Sequence, residues 1–268
     1  MPTRKAVPAG SLFQLLQRLV PDIRTVESDL KAFLLAAGHG TRLRPLTDQT
    51  PKCLLPIGGK PILQIWLEKC RQFGIDQVLV NIHAHAGMVR DFLARYNNGV
   101  DVQLIEEREL LGSAGTLLAN REWLNGEDFF WIFYADVLHR VNLSTMLQMQ
   151  ELRKPSATIG VYRVPDPARC GIVDVTEDGI VREFIEKPER PRSNLAFAGL
   201  MVGTPALLAA IPLERPADIG FHVLPRLTGH MVAYTISEYL IDIGTIENYH
   251  EAQRTWPSVE KEKDGGIC

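Results

Sequence analysis

The stretch KAFLLAAGHGTRLRPLTDQTPK, residues 31–52, decides the fold class. KAFLLAA is a continuous apolar run that stops at a glycine cluster, the pattern of a strand buried on both faces in a parallel sheet. Gly38 and Gly40 follow directly, and without side chains there the backbone N–H groups can approach an anion. Ligands of open α/β sheets sit beyond the carboxyl ends of the strands, so a loop in this place suits a nucleotide. It is not a Walker A loop, because no Gly-Lys-Ser/Thr follows, and it lacks the third glycine of the dinucleotide fingerprint. Two glycines alone are equally a tight strand-to-loop turn.

The rhythm continues outward. Pro61 opens a helix, PILQIWLEKCRQF, with Ile62, Ile65, Trp66 and Cys70 facing inward, and Gly74 stops it. QVLVNI (77–82) predicts a second buried strand, 88–95 a helix, and VDVQLI (100–105) a third strand. A helix around 115–124 leads to DFFWIFYAD (128–136), the strongest strand pattern in the chain. This alternation predicts a parallel sheet covered on both faces. Strands without intervening helices then fill 157–185, with Glu177-Asp178-Gly179 as a hairpin turn. Short helices near 204–211 and 218–228, a strand at 231–236 and a helix from Thr245 to about Gln253 complete the order. It predicts one α/β domain, 31–255, whose antiparallel second half supplies a lid or substrate wall. Residues 1–30 read as an N-terminal extension. Its helix over 11–20 places Leu12, Leu15, Leu16 and Leu19 on one face after Ser11. Residues 256–268 read as a flexible tail.

The 268 residues are 46% hydrophobic and 23% charged, which excludes disordered, collagen-like and disulfide-scaffold classes. A net charge of −3, from 29 basic against 32 acidic residues, gives no whole-surface attraction to nucleic acid or anionic lipid. Neither nucleic acid nor membrane is an expected partner. Cys53, Cys70, Cys170 and Cys268 lie far apart without a C-x-x-C pair, which points to a reducing compartment. Arg4 and Lys5 precede an apolar stretch broken by Gln14, Gln17 and Arg18, neither a signal core nor a membrane span. The expectation is a cytoplasmic protein. The 11–20 helix and the exposed second half suggest a homo-oligomer.

Thr41-Arg42-Leu43-Arg44-Pro45, followed shortly by Pro51-Lys52, extends the glycine loop into G-x-G-T-R-L-x-P…P-K. That pattern resembles the signature of sugar-1-phosphate nucleotidylyltransferases. Four further motifs follow in the family's order: LGSAGT (111–116), a second nucleotide loop; YAD (134–136), with a metal aspartate; EKP (186–188), a sugar-phosphate motif; and DIGT (242–245), with a second metal aspartate. The resemblance covers roughly 31–253. It implies a Rossmann-like three-layer α/β/α fold with a mainly parallel mixed central sheet and a small antiparallel sugar-binding part.

It also implies a reaction. The phosphate oxygen of a sugar 1-phosphate attacks the α-phosphorus of a nucleoside triphosphate, and pyrophosphate leaves. A phosphate with a second pKa near ~6 is already anionic at pH 7, so no general base is needed. The difficulty is Coulombic: two unit charges 4 Å apart interact by up to ~20 kcal/mol in the low-dielectric limit. Neutralisation and alignment therefore dominate. By resemblance, Arg42 would grip the β- and γ-phosphate oxygens, and its planar fork suits bidentate contact. Lys52 would sit near the α-phosphate and Lys187 would hold the sugar phosphate. Asp136 and Asp242 would be ligands of Mg²⁺, which takes one or two carboxylates plus phosphate oxygens. Asp136 could otherwise cap a helix, as Asp242 could cap the one starting at 245. Ala37, Gly38, Gly40, Thr41, Gly112 and Ser113 would contact the nucleotide. His39, His83 and His85 read as loop residues near its mouth.

Thymidylyl- and uridylyl-transferring relatives carry Gln five residues before the loop glycine. Glu107 stands there in this chain, within E-x-E-x-L-G-S-A-G, which looks like the mannose-1-phosphate guanylyltransferase branch. A carboxylate is an acceptor pair, and guanine offers N1–H and N2–H₂ side by side. GTP is therefore the expected nucleotide, with Glu107 reading the base or else facing solvent. Gly171, in Cys170-Gly171-Ile172, leaves room for a hexose hydroxyl, and Glu186 is placed to accept from sugar hydroxyls. The guanylyl-like loop makes mannose 1-phosphate the first expectation, while Phe197, which replaces a polar residue of the family's Asn-Ala-Gly, leaves heptose and glucose 1-phosphate open. A catalytically silent sensor of nucleotide-sugars would have lost Arg42, Lys52 or a metal aspartate. A glycosyltransferase would want a D-x-D motif, which no candidate position supplies.

Overall fold

In the computed structural model, residues 30–264 are described, so the amphipathic helix expected over 11–20 lies outside the described residues. In chain order the elements are β1 (Leu30–Leu35), β2 (Pro56–Ile57), β3 (Lys60–Pro61), α1 (Ile62–Gln72), β4 (Ile75–Ile82), α2 (Ala86–Arg95), β5 (Asp101–Glu106), α3 (Ser113–Ala119), β6 (Phe130–Tyr134) and β7 (Val137–His139). There follow α4 (Leu143–Arg153), β8 (Ala157–Arg163), β9 (Gly171–Val175), β10 (Val181–Glu186), β11 (Leu195–Gly203), α5 (Pro205–Ala209), β12 (Met231–Thr235), β13 (Leu240–Asp242) and α6 (Ile246–Asp264).

One nine-stranded sheet carries the molecule. Its path runs β10-β9-β11-β6-β1-β4-β5, with β8 and β12 joined through β11. β6, β1, β4 and β5 are mutually parallel, as the apolar runs predict. β11 is antiparallel to β6, to β8 and to β9, and so fastens the antiparallel half onto the parallel one. Alternation along β6 builds two cores. Trp131 and Phe133 pack with Trp66 of α1 and Trp256 of α6, while Phe130 and Ile132 pack with Phe33 and Leu117. Trp66 is 2% exposed, and burial of this kind is worth about 3–5 kcal/mol on truncation to alanine.

The structure differs from the sequence expectation at four places. DFFWIFYAD is not one strand: β6 ends at Tyr134, the chain turns at Ala135-Asp136, and β7 leaves the sheet to pair antiparallel with β13. β11 falls on LAFAGLMVG, where no strand is expected, because its apolar run lacks alternation and Gly199 breaks it with φ 70. α4 is nucleated by the Asn142 side chain, which accepts from Ser144 N at 3.0 Å. α6 runs on past Gln253 to Asp264, through Pro257, eleven residues beyond the periodicity-based end.

Candidate active site

The parallel strands deliver the site. Ala36 to Gly38 follow β1, Asn81 and Ile82 close β4, Glu106 closes β5, and Tyr134 closes β6, all at one carboxyl edge. A cavity of about 450 Å³ opens there, within the range of small-molecule sites. Ala37, Gly38, Gly40, Thr41, Arg42, Lys52, Glu107, Gly112, Ser113 and Asp136 all line it. A Cβ on Gly38 would meet nothing within 4 Å, so the space above that backbone is open to a ligand. Gly40 is different: at φ 63, a Cβ would lie 2.9 Å from Thr47 Cγ2, and its carbonyl accepts from Leu43 N and Thr47 Oγ1 at 2.8 Å each.

The pairing of β7 with β13 brings two carboxylates together. Asp242 is opposite Val137, and Ile243 N donates to Asp136 O at 2.9 Å. Burial first, then the charge of Asp136, raises the Asp242 carboxyl above its ordinary range, with Lys52 and Arg42 opposing. Lys52 Nζ lies 2.7 Å from Asp136 Oδ2, the pair being mostly buried. Arg42 reaches the same place: a Cβ on Gly244 would be 2.9 Å from its Nη2 and 2.7 Å from Asp242 Oδ1. Neither aspartate is spent on a helix end. Thr245 Oγ1 caps α6 by accepting from Asn248 N at 3.2 Å, and the next helix after Asp136 is capped by Asn142. Trp66 Nε1 donates to Ala135 O at 3.1 Å and so steadies the turn beside Asp136.

Glu107 does not face solvent; it is 5% exposed. Its Oε1 accepts from Asn81 Nδ2 at 2.9 Å and Thr116 Oγ1 at 2.5 Å, and its Oε2 accepts from Leu111 N at 3.2 Å. Asn81 Oδ1 in turn accepts from Ala36 N at 2.7 Å. One buried network thus ties the first glycine loop to the second. Asn81 escapes sequence reading, although a lone Asn inside the apolar run QVLVNI is a usable signal, and Thr116 is read only as part of LGSAGT. His39 lines the cavity with its ring 5.1 Å from His83, whose Nδ1 bonds Glu107 O at 2.8 Å.

Gly171, Glu186, Lys187 and Asp242 are not among the cavity's lining residues; the first three form an adjoining wall. Glu186 pairs with Gly171 across β9 and β10. A Cβ on Gly171 would lie 2.6 Å from Glu186 Oε2, and one on Gly220 only 2.3 Å. Two glycines therefore leave space around that carboxylate, whose pKa burial raises, against Lys187 and with Asp218. Ser113 Oγ donates to Asp218 Oδ2 at 2.9 Å and accepts from Ile219 N at 2.8 Å. Asp218 thus joins the second glycine loop to this wall, and no sequence motif marks it. Phe197 is edge-on to Tyr134 and Phe184, with ring centroids 5.8 and 6.3 Å apart.

The fold agrees with that of solved relatives. The nucleotidyl transferase family model matches residues 31–258, and the chain belongs to that family. Mannose-1-phosphate guanylyltransferase 1 of Arabidopsis thaliana is 32% identical over 228 residues, covering 82% of this chain and 63% of that protein. Mannose-1-phosphate guanyltransferase beta-A of Xenopus laevis is 32% identical over 227 residues, covering 82% and 62%. The chain thus spans less than two thirds of the length of those relatives. A Bacillus anthracis structure described as a glucose-1-phosphate thymidylyltransferase, solved with sucrose, superimposes at TM-score 0.76 and 25% identity, covering 84% of this chain and 94% of its own. Among the described residues no helix is long and apolar enough to cross a membrane.

Proposed function

We propose that the protein transfers a nucleotidyl group from a nucleoside triphosphate, GTP, to a sugar 1-phosphate, mannose 1-phosphate, releasing pyrophosphate. One observation carries this reading: Arg42, Lys52 and Asp136 line a cavity walled by two glycine loops, and Asp242 stands beside them just outside its lining. The sugar phosphate's oxygen forms the new bond to the α-phosphorus as the bond to the pyrophosphate oxygen breaks. That nucleophile is anionic at pH 7, which suits a site without a general base. Arg42 binds the triphosphate's outer oxygens and follows the pyrophosphate. Lys52, held by Asp136, lies where the two anions meet. Lys187 and Glu186 orient the sugar phosphate and the sugar hydroxyls.

Two neighbouring carboxylates, with Asp242 raised first by burial and then by the charge of Asp136, fit a hard divalent cation that completes its shell with phosphate oxygens. Asp136 and Asp242 would hold it, and magnesium is the ion proposed. Bound there, it supplies positive charge to the phosphate oxygens. The similarity to guanylyltransferases supports GTP, as does Glu107 at the cavity, which keeps acceptor capacity on Oε2. Three free cysteines among the described residues suit a cytoplasmic setting. The test is pyrophosphate release with Mg²⁺ across GTP, dTTP, UTP, CTP and ATP, each against mannose, glucose and heptose 1-phosphates. GTP with mannose 1-phosphate is expected to turn over fastest. A tenfold or greater preference for dTTP or UTP would end the guanine assignment, and silence across the panel would favour a sensor.

A further inference from the structure

The segment Ala217–Val223 is fastened to the second nucleotide loop. Ala114 N and Gly115 N donate to Ala217 O at 2.9 and 3.1 Å, and Ala217 N donates to Leu111 O at 2.9 Å. Ser113 and Asp218 add their side-chain bond at 2.9 Å. Asp218 Oδ1 also accepts from Gly220 N at 2.8 Å and Phe221 N at 3.2 Å, which bends residues 219–223 into a single π-type turn. Gly220 is turned inward and Phe221 outward, 52% exposed. A phenylalanine left that exposed gains little from burial.

Its ring has another neighbour. Lys187 Nζ stands over it, 5.5 Å from the ring centroid. Lys187 has little else to fix it. Its side chain is 57% exposed, and its ammonium is 3.8 Å from Glu186 Oε1, too long for a hydrogen bond. Its backbone, by contrast, is firmly set, at φ 49 with its N–H donating to Cys170 O at 2.9 Å. A four-carbon stem on a fixed backbone still samples many rotamers unless its head is held.

We propose that Phe221 is a positioning residue for Lys187, holding the ammonium by a cation–π contact where a sugar 1-phosphate is to be met. The inference rests on Lys187 being the sugar-phosphate cation and deepens that reading. The ring's own position is set by the strut 217–223, so the sugar-phosphate cation is aligned from the nucleotide loop.

The experiment measures KM for mannose 1-phosphate and for GTP separately, with Mg²⁺, in Phe221→Leu, Phe221→Tyr and Lys187→Ala. Phe221→Leu is expected to raise the sugar-phosphate KM about two- to fivefold, the worth of an exposed cation–π contact, with the GTP KM unchanged. Phe221→Tyr keeps the π-face and is expected to restore the parental value. Leu and Tyr variants that match each other, or a GTP KM that rises with the other, would overturn the positioning role. Lys187→Ala separates the two layers. If it leaves the sugar-phosphate KM unchanged, the reading of Lys187 itself falls. If it raises that KM while Phe221→Leu does not, only the role of Phe221 falls.

Discussion

Glu107 is buried at the end of β5 with its carboxylate facing three donors, from Asn81, Thr116 and the Leu111 amide. Glu107→Gln replaces one acceptor by a donor, so at least one of those groups loses its partner. The expected cost is about 1–3 kcal/mol in chemical denaturation, with a narrower GTP-over-dTTP ratio in turnover. Unchanged values of both would remove Glu107 from the site. Glu186 makes the opposite kind of prediction. Its carboxyl, ordinarily at 4.5, is raised by burial against the pull of Lys187. Folding therefore tightens its proton, and stability declines as pH rises from 4.5 through the raised value. Glu186→Gln is expected to raise the melting temperature at pH 7 and to give no such gain at pH 3; equal effects at both would contradict that sign. At this scale the motif residues Arg42, Lys52, Asp136, Lys187 and Asp242 were legible because short spacings carry them. Asn81 and Asp218 were not, because their partners stand 26 and 105 residues away in the chain.

At the scale of elements, the two aspartates meet because β7 pairs with β13. Three-residue strands leave almost no periodic trace, so that pairing could not be read from VLH or LID alone. The parallel strands β1, β4 and β6 were readable, since apolar runs ending in glycine or polar loops mark strands buried on both faces. The second nucleotide loop depends on one close approach. Gly112 sits at φ 78, where a Cβ would be 2.3 Å from Ala217 O. Gly112→Ala must push away the strut 217–223, because the obstacle is backbone. The expected result is a stability loss of about 1–3 kcal/mol. It should come with a higher sugar-phosphate KM, since the wall moves with the strut. A variant as stable as the parent would show that loop and strut are independent.

Across the whole molecule, a single sheet carries both the cavity and the wall beside it. The parallel strands end at the cavity, and β11 ties them to the β9–β10 hairpin that bears Gly171 and Glu186. On the proposed function, this frame would present two polyanions to one another, with Arg42, Lys52 and the Asp136–Asp242 pair between them. The most direct measurement is kcat/KM for pyrophosphate release by Arg42→Ala and Asp136→Asn, with folding verified by circular dichroism melts. Losses of about 10²–10³-fold are expected from removing charge stabilisation at the reacting phosphates. Folded variants running within about twofold of the parent would contradict the account.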